Sequence, residues 1–284
     1  MAISAQDVKT LREKTGAGMM DCKKALTESD GDFEKAIDYL REKGLSRAAK
    51  RMAKTADEGI IGSSLTNDKK TAVLLELNCE TDFVARTDDF QNFSKKLCEA
   101  FLTGNVIGNG WKDLIIEGVK AEESLNNLSA KMGEKMELRR FEKFRTESGL
   151  IDLYIHAGSR LGVMLEVEFE GDGEAASAVS HELSMQIAAA NPSAINRNEV
   201  SAEKIEREME IYRAQARNEG KPEQVIDRIA EGKLNKFYSE ECLLEQPYIK
   251  EQKITVTQYL AEVLKNKKVN IVPKRFVKFV LGGN

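Results

Sequence analysis

Two histidines, His156 and His181, are the only side chains in the 284-residue chain whose ordinary pKa lies near neutrality. A Ser/His/Asp relay would have to run through one of them. His156 stands in Tyr154-Ile155-His156-Ala157-Gly158-Ser159-Arg160, a strand entering a turn, where a turn or contact histidine fits better than a base. His181 lies on a helical stretch and reads as a surface or boundary residue. Neither belongs to an HExxH pattern, and there is no GxSxG. The four cysteines, Cys22, Cys79, Cys98 and Cys242, are far apart and form no CxxC pair. They read as free thiols of a reducing compartment, since no zinc-ligand spacing is present. No GxxxxGK[ST] occurs, and Gly16-Ala17-Gly18 is only GxG, between helices. The acid pair Asp88-Asp89 follows Thr87 and reads as a capped helix start whose charges suit the helix dipole. The expectation is no catalytic residue, no metal and no cofactor.

Two features suit binding better than bond chemistry. The first lies in residues 72–86, AVLLELNCETDFVAR. An apolar strand, Val73, Leu74, Leu75 and Leu77, runs into the polar turn formers Asn78 to Asp82, and Phe83 follows at once. Phe83 could fold back under the helix that follows Thr87, or it could face outward as a probe pushed into another protein. The second is Gly16-Ala17-Gly18-Met19-Met20, where adjacent methionines offer either core filler or an adaptable contact surface.

The elements that must carry these features follow from periodicity. Ser4 can cap a first helix with Val8 and Leu11 inward. A second helix starts near Met19 with Cys22, Ala25 and Leu26 on one face. After a Ser29-Asp30-Gly31 turn, Asp32 can cap a third helix with Phe33, Ile37 and Leu40 inward, which Gly44 is expected to close. Residues 45–57, with Arg47, Lys50, Arg51 and Lys54, read as a basic connector.

Beyond it the chain repeats. At an offset of 90, Gly59 falls on Gly149, Ile61 on Ile151, Val73 on Val163, and Leu75-Glu76 on Leu165-Glu166. Phe93, Leu97 and Ala100 then fall on Leu183, Ile187 and Ala190. Further on, the offset becomes 135: Leu125 meets Leu260, and Arg139 to Phe144 meets Lys274 to Phe279. The difference of 45 places about 45 extra residues in copy two, between Ala190 and Leu260. Within them Ile205, Met209 and Tyr212, then Val225, Ile229 and Leu234 after Gly220-Lys221-Pro222, describe a two-helix hairpin with a narrow apolar seam. The expected fold is α+β: a three-helix bundle, then a duplicated core of antiparallel sheets with helices on one face, and an inserted helical hairpin. Expected boundaries are 1–54 for the bundle and connector, 55–147 for core copy one, and 148–284 for copy two with the insertion at about 198–242. At offset 90, Thr81-Asp82-Phe83-Val84 meets Gly171-Asp172-Gly173-Glu174, read as a turn without an aromatic; only copy one carries the probe.

Composition narrows the partners. A net charge of −4 argues against nucleic acid as the main partner, because phosphate binding needs a basic surface. No apolar run approaches 18 residues, so no transmembrane helix is expected, and the first residues lack the pattern of a signal or transit peptide. A cytoplasmic protein with no membrane partner is the expectation.

At two stretches the sequence resembles a known family. Residues 15–26, TGAGMMDCKKAL, and 77–86, LNCETDFVAR, are similar to signature stretches of the bacterial elongation factor Ts family. The resemblance extends through 130–140, 154–163 and 220–240 and covers nearly the whole chain. It implies a guanine-nucleotide exchange factor that binds elongation factor Tu, both GDP-bound and nucleotide-free, and performs no covalent chemistry. It also implies a bundle similar to ubiquitin-associated domains, two related core subdomains and a projecting coiled coil. By the same resemblance Thr81, Asp82, Phe83 and Val84 disturb the partner's Mg²⁺ site. Met19, Met20 and Lys23 touch the partner's nucleotide domain, and Met132, Gly133 and His156 lie in further contact loops. Some members continue past the last strand into a C-terminal helix that this chain has no room for, which puts that contact in doubt. Two other readings stay open: a ubiquitin-associated-like adaptor that binds peptides through its bundle, and, more weakly, a hydrolase using an acid pair. Whether the hairpin meets the partner or a second copy of the chain also stays open.

Overall fold

Local capping signals set the N-terminal helices of the computed structural model, which describes residues 3–15, 17–52, 55–106 and 108–283. Helix α1 (Ala5–Thr15) starts where the Ser4 hydroxyl accepts from the Asp7 backbone N–H at 3.1 Å. Helix α2 (Met19–Glu28) buries Cys22, Ala25 and Leu26. These pack with Val8 and Leu11, and with Ala36 of α3 (Phe33–Met52), in a small core of their own. Asp30 and Gly31, both at positive φ, make the α2–α3 turn, and Asp32 caps α3 through the Glu34 and Lys35 N–H groups. Here the expectation fails at one point: α3 runs through Gly44 to Met52 instead of stopping. A mid-helix glycine costs only about 1 kcal/mol, and the flanking Glu42, Lys43, Ala48 and Ala49 are good helix formers. Much of the expected connector is therefore helix; Ala53 and Lys54 lie outside the described residues.

The core begins with the hairpin β1 (Glu58–Leu65) and β2 (Thr71–Cys79). A single-turn helix α4 (Asp82–Ala85) and the longer α5 (Asp88–Thr103) follow. A two-residue ribbon, β3 (Ile115–Ile116) with β4 (Val119–Lys120), leads into α6 (Ala121–Met132) and β5 (Met136–Arg145). Copy two repeats the order. It contains β6 (Gly149–Ile155), β7 (Leu161–Glu170) and α7 (Gly173–Ala190). The hairpin α8 (Ala202–Asn218) and α9 (Glu223–Glu241) comes next. The ribbon β8 (Pro247–Tyr248) and β9 (Glu251–Thr255), α10 (Val256–Lys267) and β10 (Asn270–Val280) complete it. Each copy forms a three-stranded antiparallel sheet, in the orders β1-β2-β5 and β10-β7-β6. The fold is α+β.

The side-chain period of two sorts the central strand β2 between two cores. Val73, Leu75, Leu77 and Cys79 pack with Phe90, Leu97 and Phe101 of α5 and Leu125 of α6. Ala72 and Leu74 join Ile61 and Phe144 against Ile151, Met164 and Phe279 of the other sheet. The two sheets thus meet face to face, with α5 and α6 outside one and α7 and α10 outside the other.

A pseudo-two-fold relates the copies down to single bonds. Ile61 N–H donates to Ser159 O at 2.7 Å, and Ile151 N–H donates to Lys69 O at 2.8 Å. Arg140 donates to Glu76 at 2.7 Å and lies over Phe279; Arg275 donates to Glu166 at 2.6 Å and lies over Phe144. Lys143 donates to the carbonyls of Phe101, Leu102 and Gly104 at the end of α5. Lys278 does the same for Ala188 at the end of α7, and partial burial lowers the pKa of both lysines. Gly59 and Gly149, the glycines shared at offset 90, each let two backbones touch. A Cβ there would lie 2.1 Å from Leu77 O and 1.9 Å from Val167 O. Alanine at either position is expected to lower stability by about 2 kcal/mol or more, read as a lower urea midpoint at unchanged m-value. Gly232 in α9 is the contrast: nothing lies within 4 Å, so Gly232→Ala should raise stability by about 0.5–1 kcal/mol.

The size of the insertion agrees with the count. Fifty-six residues separate α7 from β8, against 11 between α5 and β3, a difference of 45. The seam of the hairpin differs in detail. Ile226, Ala230 and Phe237 are buried on α9, while Val225 is exposed. Leu234 and Phe237 pack with Ile205 and Tyr212 of α8, the buried Ile226 and Ala230 continue the same stripe, and Val225 sits one residue, about 100°, off it.

Candidate functional site

Strand β2 delivers the chain to the rim of its sheet and stops at Cys79. The next six residues are held from below by backbone capping. Cys79 Sγ lies 3.1 Å from Thr81 O, and burial, with the Glu134 carboxylate nearby, pushes that thiol up to about 12, so it stays protonated and donates. Thr81 is extended and caps α4: its hydroxyl accepts from Val84 N–H at 3.4 Å. Thr87 repeats the device for α5. It accepts from Phe90 N–H, while its own N–H and hydroxyl both donate to Val84 O, at 3.0 and 2.8 Å. Val84 and Ala85 are buried in the helix–sheet core. Between these anchors the outward position falls to Phe83, which is 79% exposed. Among the described residues it is the one phenylalanine of eleven that is exposed. Burying such a ring is worth about 1.5–3 kcal/mol, an energy the isolated chain leaves uncollected. Asp82 beside it pairs with Arg86 at 2.8 Å across one turn of helix.

Copy two shows what makes this display. Residues 171–174, read from sequence as a turn, are the start of a helix: Asp172 caps α7 through Glu174 and Ala175, and Gly173 is its first residue. Helix α7 then runs unbroken to Ala190, whereas copy one breaks the equivalent helix at Arg86-Thr87 into α4 and α5. The break turns one helical turn aside and puts Phe83 where α7 has Gly173.

The structure brings two other expected residues beside the probe. Helix α6 ends at Met132, and Gly133, at φ 80°, is its left-handed C-cap. Glu134 follows directly and accepts from the Thr81 hydroxyl at 2.6 Å and from Thr81 N–H at 3.0 Å. Lys135 N–H donates to Glu80 at 2.7 Å. Met132 itself is partly buried against the core.

His156 sits in the turn joining β6 to β7, with its ring Nδ1 2.8 Å from the Tyr154 hydroxyl. That turn adjoins β1, since Arg160 pairs with Glu58 at 2.5 Å and Glu58 lies opposite Cys79 in the sheet register. The turn and Phe83 therefore flank the same end of β1. Tyr154 also packs edge-on against His181, whose Nδ1 lies 3.2 Å from Asp152. Burial raises the Asp152 pKa.

Met19, Met20 and Lys23 are exposed on α2, whose buried residues are Cys22, Ala25 and Leu26. Met19 and Met20 are 57% and 76% exposed. Of the two readings of this pair, core filler does not hold. Among the described residues no group of three or more His, Cys, Asp or Glu could hold a metal ion. No helix there is long and apolar enough to cross a membrane. All four cysteines are free and buried.

Sequence reasoning missed Glu80, Glu134 and Lys135. Fifty-three residues separate Thr81 from Glu134, and no local pattern joins them. Only the alignment of α6 against the rim of β2 does.

Comparison with known proteins decides the family. A family model described as "Elongation factor TS" matches residues 80–283. The chain is 46% identical over 284 residues to the elongation factor Ts of Clostridium botulinum (strain Alaska E43 / Type E3), covering 99% of this chain and 93% of that one. The chain belongs to the elongation factor Ts family. Relatives of the same name from Clostridium perfringens (strain SM101 / Type A), at 45% identity, and Chlorobaculum tepidum, at 44% with 99% of both chains covered, place it there too. As an elongation factor Ts family member it is a translation elongation factor. The family match begins at Glu80, at the foot of the turn that carries Phe83, and runs through the rest of copy one, the hairpin and copy two.

Proposed function

We propose that this chain is a guanine-nucleotide exchange factor: it binds elongation factor Tu·GDP in the cytoplasm, disturbs the partner's Mg²⁺ site and promotes release of GDP. The observation that carries this reading is Phe83, exposed at 79% on a turn whose neighbours are all anchored. An aromatic held rigidly outward loses little conformational freedom on insertion, which is what a wedge needs.

The mechanism asks for no proton transfer and no covalent intermediate from this chain. Mg²⁺ in a nucleotide site demands near-ideal geometry around substrate phosphates and a few side chains. A phenyl ring driven between the elements that carry those ligands need not touch GDP. A shift of the metal shell by a fraction of its bond length weakens the phosphate site. Thr81 and Asp82 shape the turn, Phe83 inserts, and Val84 serves as the anchor that keeps the ring from folding inward. Met132 and Gly133, tied to Thr81 through Glu134, form the flanking contact. His156 meets the partner from the adjoining turn, and Met19, Met20 and Lys23 engage its nucleotide domain from the bundle. Neither nucleic acid nor membrane takes part.

Linkage gives the test. Effects on binding are reciprocal, so a factor that loosens GDP must itself be loosened by GDP in the same ratio. The affinity of the chain for nucleotide-free elongation factor Tu is expected to exceed that for the GDP·Mg²⁺ form by 100-fold or more, about 2.7 kcal/mol. Equal affinities, measured by titration calorimetry, would rule exchange out. A peptide-binding adaptor confined to the bundle would leave Phe83 without a task. It predicts that Phe83→Ala binds elongation factor Tu as tightly as wild type.

A further inference from the structure

We infer that Glu134 is a positioning residue for exchange: its carboxylate holds Thr81 in the capping conformation that keeps Phe83 pointed outward. This rests on the exchange reading above and adds a residue to it. Glu134 grips Thr81 twice, at the hydroxyl (2.6 Å) and at the backbone N–H (3.0 Å). A threonine hydroxyl has one proton and two lone pairs. Donating that proton to Glu134 leaves a lone pair facing Val84 N–H, which is the cap that starts α4. The charge on the acceptor makes both bonds stronger than neutral ones.

Glu134 is itself oriented. Gly133 turns the chain at positive φ, and the Ser129 hydroxyl donates to Glu134 O at 2.5 Å. One residue on, Lys135 N–H donates to Glu80, so the two segments are sewn together at two consecutive residues where the chain enters the turn. Glu134 therefore makes a single rigid body of the Phe83 turn and the Met132-Gly133 corner. Without the carboxylate, the Thr81 hydroxyl is free to rotate its proton toward solvent, the α4 cap weakens, and the aromatic samples inward and sideways positions. A wedge that is outward for only a fraction of the time works at that fraction of its rate.

The test uses full-length Glu134→Ala, Phe83→Ala and the double variant, with release of labelled GDP from elongation factor Tu followed against factor concentration. Glu134→Ala is expected to lower the maximal release rate about tenfold, a change of about 1.4 kcal/mol, with thermal unfolding still cooperative. In the Phe83→Ala background the same substitution is expected to change the rate by less than about twofold, because no aromatic remains to position. Glu134→Gln, which keeps one acceptor oxygen, is expected to fall between wild type and alanine, and it carries the test if the alanine variant does not fold. Wild-type release by both Glu134 variants, or an equal fold-loss with and without Phe83, would overturn the positioning role while leaving exchange intact. Wild-type release by Phe83→Ala would remove the wedge role of the ring and this inference with it while leaving exchange intact, whereas release at the unassisted rate with the wild-type chain would remove the exchange reading itself.

Discussion

Phe83→Ala is expected to cut stimulated GDP release by about 30-fold or more while leaving the fold untouched. Buried aromatic anchors at interfaces cost about 2–4 kcal/mol when truncated, and 2 kcal/mol is roughly 30-fold. The same ring contributes nothing to the isolated chain, because it is 79% exposed. Its thermal midpoint should therefore stay within about 1 °C of wild type, since surface substitutions usually lie within about 0.5 kcal/mol. The adjacent residue should behave in the opposite way. Val84 is buried in the helix–sheet core, so Val84→Ala is expected to lower stability by about 1–2 kcal/mol. Two neighbouring side chains thus separate function from folding, and a variant pair in which both lost stability equally would contradict the geometry of the turn.

The largest expected effect on stability belongs to Arg140→Ala. Glu76 is 0% exposed between the two sheets, and Arg140 answers it at 2.7 Å. Arg139 is more distant at 3.6 Å, and the other partners are neutral: Gly282 N–H at 2.8 Å and the Asn78 amide at 3.3 Å. Removing the main cation leaves a buried carboxylate poorly compensated, which costs about 3–5 kcal/mol. The packing of the guanidinium over Phe279 and its bond to Val280 O are lost as well. The pseudo-symmetric Arg275→Ala is expected to cost less, because the side chain of its partner Glu166 is 13% exposed and water can reach it. Adding Glu76→Gln to Arg140→Ala should recover part of the loss, since the stranded charge goes with it. Urea unfolding of the three variants beside wild type reads all three statements.

Much of this architecture was legible because it obeys short-range rules. Ser4, Asp32 and Thr87 cap helices where their sequence context says they should. The offsets of 90 and 135 were readable because a duplicated core must keep the same apolar positions and the same close-approach glycines, Gly59 and Gly149. The pairing of Glu76 with Arg140 and of Glu166 with Arg275 was carried by those offsets but not seen, because a charged residue in a strand reads as solvent-facing until a second sheet covers it. Helix phase was harder. Val225 and Ile226 are adjacent apolar residues, and sequence cannot tell which of them faces α8. Gly44 failed as a stop signal because a glycine ends a helix only when the chain needs a left-handed residue there, as Gly133 does after α6.

The site was half legible. Phe83 stood out by type and by its absence from copy two, yet sequence left it divided between core and probe. What decided the matter is the break between α4 and α5, set by two threonine caps six residues apart, Thr81 and Thr87. The grip of Glu134 on Thr81 could not be read at all, since it depends on where α6 ends in space.

The central claim is tested most directly by the release of labelled GDP from elongation factor Tu, in the presence of Mg²⁺, with and without this chain. The account predicts that substoichiometric chain accelerates release at least 100-fold. It also predicts that Phe83→Ala loses most of that acceleration and that chelating Mg²⁺ in its absence reproduces part of it. Release that proceeds at the unassisted rate with the chain present in excess would contradict the account.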